Sequence, residues 1–177
     1  MSKCWPDPIK DSIDKRQMYR QYIHDIHAMQ RLPYNEAEAD EYYEELLWDE
    51  HYDFWMPIQY EHKTVGFFTM CPAPHCPPNV DYILRDAYVQ PEYRRLGLMK
   101  TAVSEWIEAY PGVYEVYVLD NNKPAYNCWM QVFKNAGYQI QKTFAHTERN
   151  GDPSTFFRFE PVDPNRKWKY LEEDCEE

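Results

Sequence analysis

Tyr88-Val89-Gln90-Pro91-Glu92-Tyr93-Arg94-Arg95-Leu96-Gly97-Leu98-Met99 is the stretch that decides the fold of this chain. A β-rich run ends at Val89, Pro91 breaks it, and a short basic turn carries one glycine, Gly97. Met99, Ala102, Val103, Trp106 and Ile107 then recur at helical spacing. The unpaired N–H groups of that helix start lie in a bend flanked by Arg94 and Arg95. Helix N-termini bind phosphate through those N–H groups and the helix dipole. Guanidinium groups add charge-assisted contacts. The stretch therefore reads as a diphosphate cradle set between a strand and a helix.

Working outward, residues 80–89 form the strand that feeds the cradle and 98–109 the helix that leaves it. After Pro111-Gly112, residues 113–119 form a clear strand, and Asn122 with Pro124 marks a helix start. That helix runs to Ala136, where Gly137 is a natural stop. Tyr138–Thr147 and 155–159 are the last strands, joined by a turn at Asn150-Gly151. Upstream, Ile13, Met18, Tyr22, Ile26 and Met29 predict a helix over 12–30. Asn35 caps a second over 36–50, with Tyr42, Tyr43, Leu46 and Leu47 on its apolar side. Phe54–Tyr60 and 64–71 read as a hairpin around a turn near His62-Lys63. Residues 72–78 hold four prolines and must be a loop.

Composition bounds the function. The chain has 177 residues, 44% hydrophobic and 17% aromatic, which suits one packed domain. No apolar run approaches the ~20 residues of a membrane span, and the N-terminus has no apolar signal core, so a cytoplasmic protein is expected. Five scattered cysteines (4, 71, 76, 128 and 175) without a CxxC read as free thiols. The net charge of −11 argues against nucleic-acid binding. Eight acids in 36–50 and five in 172–177 account for more than all of it, so the remaining body is close to neutral. The acidic helix reads as a solvated face or as an attractor of a cationic substrate. His24 and His27 read as ordinary helix histidines, and Cys71, His75 and Cys76 as loop residues, so no metal site is expected.

The order of elements resembles the GNAT superfamily of acetyl-CoA-dependent N-acetyltransferases, most strongly over 80–140. The family's cradle motif, Gln/Arg-x-x-Gly-x-Gly/Ala after a Val-x-Pro-x-Tyr lead-in, is matched by Val89, Pro91, Tyr93, Arg94 and Gly97. Arg95 stands where a glycine is common, and Met99 replaces the final small residue. A second signature is echoed by Asn122, Ala125, Phe133, Gly137 and Tyr138. The resemblance implies an α/β (α+β) fold: a mixed, mostly antiparallel sheet of about six or seven strands with about four helices, splayed between the family's fourth and fifth strands. The domain would span 1–161, with an acidic tail over 162–177.

What the resemblance implies chemically is amide formation from acetyl-CoA as co-substrate. Backbone groups of Arg94, Arg95, Leu96, Gly97, Leu98 and Met99 would hold the pyrophosphate. Backbone near Tyr88 and Val89 would pair with pantetheine and polarise the thioester, and Asn122 and Phe133 would border the cofactor. The family's thiolate-protonating tyrosine falls at Phe133, so Tyr126, on the same helix, is the substitute acid. Asp86, on the face of Tyr88, is the first candidate base, ahead of Asp81, Glu61 and His62. Glu41, Glu44 and Glu45 of the acidic helix would draw a cationic amine: a polyamine, a lysine side chain or an aminoglycoside-like compound. Partners are thus a small-molecule or protein amine, with no nucleic acid or membrane; homodimerisation, common among relatives, stays open. A CoA-binding or structural module without turnover is the rival reading, and a longer acyl-CoA donor a third.

Overall fold

The register of the sheet starts from a two-residue turn. Glu61 and His62 both take left-handed backbone, with φ of 46° and 63°, which matches the twist of a tight hairpin. β1 (Phe54–Tyr60) and β2 (Lys63–Pro72) therefore pair antiparallel through Tyr60 and Lys63. The computed structural model describes residues 15–48, 54–148 and 151–162. Ile13, Asp49, Glu50, Asn150, Cys4, Cys175 and the acidic tail from residue 163 lie outside them, as do the side chains of Leu46 and Leu47.

Among the described residues six strands form one sheet, in the order β1-β2-β3-β4-β6-β5. β3 (Tyr82–Val89) runs antiparallel to β2, and β4 (Tyr114–Leu119) runs parallel to β3. β6 (Pro153–Pro161) inserts between β4 and β5 (Tyr138–Thr147), antiparallel to both. Helices α1 (Lys15–Gln30) and α2 (Glu36–Trp48) precede the sheet. α3 (Leu98–Ala109) crosses from β3 to β4, and α4 (Lys123–Asn135) leads from β4 into the β5–β6 hairpin.

Two apolar clusters sandwich the sheet. On one face Val103, Trp106 and Ile107 of α3 and Trp129, Val132 and Phe133 of α4 pack on Leu84, Val116 and Phe159. On the other, Met18, Tyr19 and Ile23 of α1 and Ala39 and Tyr43 of α2 close over Phe67 and Tyr88. Trp55 stacks on Phe67 with ring centroids 3.8 Å apart. Tyr42 departs from the apolar side expected for it: it is 39% exposed and donates to Glu38. No described helix is long and apolar enough to cross a membrane.

The caps follow their residue types. Asn35 accepts from the Ala37 N–H at 3.0 Å to start α2, and Asn122 accepts from the Ala125 N–H at 3.1 Å to start α4. Gly137 ends α4 with φ of 78°, a value that favours glycine.

Candidate active site

A bulge opens the sheet. Along β2 and β3, Phe68 faces Ala87 and Met70 faces Leu84, so the single Thr69 stands opposite both Arg85 and Asp86. The extra residue kinks β3 and turns both side chains to one face. The parallel ladder with β4 is only three pairs long and ends at Leu84↔Val116, directly before the bulge. Beyond it the two strands diverge. Toward β2, Asp86 donates its N–H to Thr69 Oγ1 and Gln90 donates to Val65 O. Strand alternation then points the N–H groups of Ala87 and Val89 into the gap. A slot of about 170 Å³ occupies this gap, between Tyr22 and Ile26 of α1, Ala87, Tyr117 to Leu119, and Asn122 and Trp129 of α4.

The cradle continues from β3. Residues Pro91–Tyr93 form a 3-10 turn, and the backbone becomes left-handed at Arg95 (φ 65°) and Gly97 (φ 78°) before α3 begins. Two left-handed residues in one turn explain why glycine is common at position 95 in this motif. The first helical bond is Thr101 N–H to Gly97 O, which leaves the N–H groups of Leu98, Met99 and Lys100 ahead of the ladder. A Cβ on Gly97 would meet nothing within 4 Å, so the cradle is open to solvent. Met99 and Leu98 turn their side chains into the core beside α3. The bulk at position 99 therefore points away from the exposed amides.

Arg94 folds back rather than outward. Its Nε donates to Val89 O at 2.8 Å, its terminal nitrogen pairs with Asp25 of α1, and its guanidinium lies 5.4 Å from the Tyr88 ring centre. Arg95 and Leu96 are exposed. Tyr88 itself is buried and its carbonyl faces Gly66 of β2, so neither its ring nor its backbone lines the slot, and the backbone expected there is that of its neighbours.

Next to the slot, on the half of the sheet that α1 and α2 leave uncovered, lies a cleft of about 900 Å³. Tyr42, the proline loop with His75 and Cys76, Arg85, Asp86, Tyr117, His146, Glu148 and Phe156 line it. Arg85, Tyr117 and Glu148 border both cavities and mark where slot meets cleft. Asp86 is half-buried; its Oδ1 accepts from Tyr22 OH at 2.8 Å and its Oδ2 from Thr69 OH at 3.3 Å. Burial pushes its carboxyl above the usual range, against the pull of the Tyr22 hydroxyl. Burial and the adjacent Asp86 push the Tyr22 phenol well above its ordinary value. Tyr117 OH donates to Glu148 Oε1, and burial together with that bond raises its pKa. Burial also pushes the Cys76 thiol up to about 12.

The remaining candidates fall elsewhere. Phe133 is fully buried and stacks on Phe159 at 4.0 Å, so its ring belongs to the core and not to the slot wall. Tyr126 is 40% exposed and sets its ring edge against Phe157, outside the residues that line the slot. Glu44 is tied to Arg16, while Arg20 holds Glu36 and Asp40. The side of the acidic helix facing α1 is thus neutralised; Glu41 and Glu45 are exposed. Asn122 does line the slot. Among the described residues no three His, Cys, Asp or Glu side chains are grouped to hold a metal. Trp129, Tyr22, Tyr117 and Glu148 join the site without having been singled out for it by sequence. Trp129 carries a signal, since it follows Asn122 by two helical turns and shares its face; the others meet only through tertiary pairing.

Solved acetyltransferases share this architecture. An acetyltransferase from Thermus thermophilus superposes with a TM-score of 0.56 at 12% identity, covering 81% of this chain and 88% of that one. The ribosomal-protein-alanine N-acetyltransferase of Brucella melitensis gives 0.54 at 14% identity, over 83% and 94% of the two chains. An aminoglycoside 6′-N-acetyltransferase complexed with coenzyme A gives 0.55 at 13%, over 89% and 98%. At these identities the likeness establishes the fold. No curated protein sequence matches the chain. Residues 23–133, from α1 through the bulge and cradle to α4, match the sequence profile of the Acetyltransferase (GNAT) family. The chain belongs to the GNAT family of acetyltransferases.

Proposed function

We propose that this acetyltransferase moves an acetyl group from acetyl-CoA to a primary amine seated in the cleft beside Arg85, Asp86 and Glu148. The observation that carries the reading is the conjunction of a three-pair β3–β4 ladder, a slot at its broken end and an open helix N-terminus following the same strand. Acetyl-CoA supplies an activated thioester carbonyl. The N–H groups of Leu98, Met99 and Lys100 and the exposed Arg95 guanidinium suit its pyrophosphate. The N–H of Ala87, which lines the slot, or that of Val89, next along the same edge of β3, suits the carbonyl oxygen; one such donor is worth roughly 3 kcal/mol when aimed at the developing charge. Ile26, Trp129 and Leu119 exclude water from the slot.

An acceptor amine is cationic at neutral pH and must lose a proton before it can attack. Two carboxylates, Asp86 and Glu148, face it from the cleft, and the aromatic rings of Tyr42, Tyr117 and Phe156 suit a cation. These features favour a cationic acceptor more directly than the acidic helix does; Glu41 and Glu45 contribute attraction at longer range. Positioning supplies much of the remaining rate. The rival, a CoA-binding module without turnover, draws on Phe133, which is buried where relatives carry a thiolate acid.

Acetyl-CoA consumption against polyamines, amino acids, aminoglycosides and lysine-containing peptides tests the proposal, with thermal shift by CoA measured in parallel. Turnover with a primary amine is the expected result. A CoA-dependent rise in melting temperature with no amine acetylated would establish the module instead.

A further inference from the structure

We propose that Glu148 is the carboxylate that receives the acceptor's amine and takes its proton, an assignment that rests on the acetyl-transfer reading above. Asp86 and Glu148 both line the cleft, but their oxygens are used differently. Asp86 is occupied on both: Tyr22 holds Oδ1 and Thr69 holds Oδ2, while the Asp86 N–H returns to the same Thr69 hydroxyl at 3.0 Å. It ties α1 to the bulge. In Glu148 the two hydroxyl donors, Tyr117 and Ser154, converge on one oxygen, Oε1, with Ser154 at 2.6 Å. Among the described residues none donates to Oε2. A carboxylate has about four acceptor sites, so Oε2 keeps full capacity for an ammonium.

Position supports the same residue. Among the described residues only Arg85, Tyr117 and Glu148 border both the slot and the cleft, which is where an acceptor nitrogen must meet the acetyl carbon. Arg85 is a permanent cation and Tyr117 already donates its proton to Glu148, which leaves Glu148 to accept one. The residue is also held in place. Its N–H donates to Asp152 O at 2.8 Å, and its carbonyl accepts from the Gly151 N–H at 2.9 Å, which pins the β5–β6 turn. Ser154, only 1% exposed, spends its hydroxyl on orienting the carboxylate.

In the reaction the ammonium gives one proton to Oε2, and the neutral nitrogen forms the C–N bond as the acetyl C–S bond breaks. The second proton lost by nitrogen neutralises the departing sulfur, and Glu148 returns its own proton to water. The acceptor class is thus an amine protonated at neutral pH.

Glu148→Gln keeps an oxygen for Tyr117 and Ser154 but removes the base. With an amine that the wild-type protein acetylates, kcat/KM should fall at least about a hundredfold, while the variant still folds and binds acetyl-CoA. Glu148→Asp, which keeps the charge and withdraws it by one methylene, should retain more activity than Glu148→Gln. A Glu148→Gln protein within threefold of wild type overturns the assignment, as does a larger loss in Asp86→Asn than in Glu148→Gln. Wild-type protein that binds acetyl-CoA yet acetylates nothing overturns the acetyl-transfer reading itself, which keeps the two failures distinct.

Discussion

Gly66→Ala should damage the slot from behind. Gly66 lies on β2 opposite Val89, and a Cβ built on it would overlap Tyr88 O outright and sit 3.0 Å from Val89 Cα and 3.2 Å from a Val89 methyl. Ordinary contact begins at 3.4 Å, so β3 must move by about 1 Å at the residues whose backbone faces the gap. The obstacle is backbone, flanked by the hydrogen bond from Gln90 N–H to Val65 O at 2.9 Å, and it cannot rotate away. Overpacking of this kind costs about 1–3 kcal/mol, which at this chain length lowers the melting temperature by roughly 2–12 °C. The same displacement misplaces the Val89 N–H, and an error of about 1 Å at a reacting centre can cost about a hundredfold in rate. Calorimetry and steady-state turnover of the purified variant read both effects. A variant with wild-type melting temperature and turnover would refute the close approach of β2 to β3 and the role given to Val89.

Three further outcomes are expected. Arg95→Gly removes a left-handed, non-glycine backbone at φ 65° and should stabilise the fold by about 1 kcal/mol; a lowered denaturant midpoint would contradict that conformation. Tyr22→Phe takes one donor from the half-buried Asp86 carboxylate, a bond of the charged type worth about 1.5–3 kcal/mol, and urea unfolding should show the loss. Asp40 is held below its ordinary 3.8 chiefly by the hydrogen bonds from Arg20. Its contribution to stability is therefore present above about pH 4 and lost as pH falls through the lowered value. The melting-temperature gap between wild type and Asp40→Asn should accordingly narrow on acidification, and a gap that widens would reverse the sign assigned to the pair.

The charge distribution shows how a sequence pattern can be read correctly and placed wrongly. Eight acids in 36–50 are evident in the chain. Their partners Arg16 and Arg20 lie one helix away, and only the packing of α1 on α2 brings Glu36, Asp40 and Glu44 against them. The negative groups of the cleft come instead from β3 and from the turn that follows β5.

Local chemistry determined what the sequence could settle. A strand stopped by Pro91, a turn with Gly97 and a helix starting at Leu98 are all specified within a dozen residues, as are the Asn35 and Asn122 caps and the Gly137 stop. From these the cradle and the family were legible. The tertiary structure decided the rest, because each remaining feature is a relation between segments distant in the chain. The bulge at Arg85 and Asp86 is a mismatch of register between β2 and β3. The placement of β6 between β4 and β5 is a matter of strand pairing. That pairing carries Glu148 and Ser154 to Tyr117, 31 residues away from Glu148, and it turns Phe133 into the core. Turns and caps are written in adjacent residues; a site assembled across a sheet is written only in the register that the whole sheet adopts.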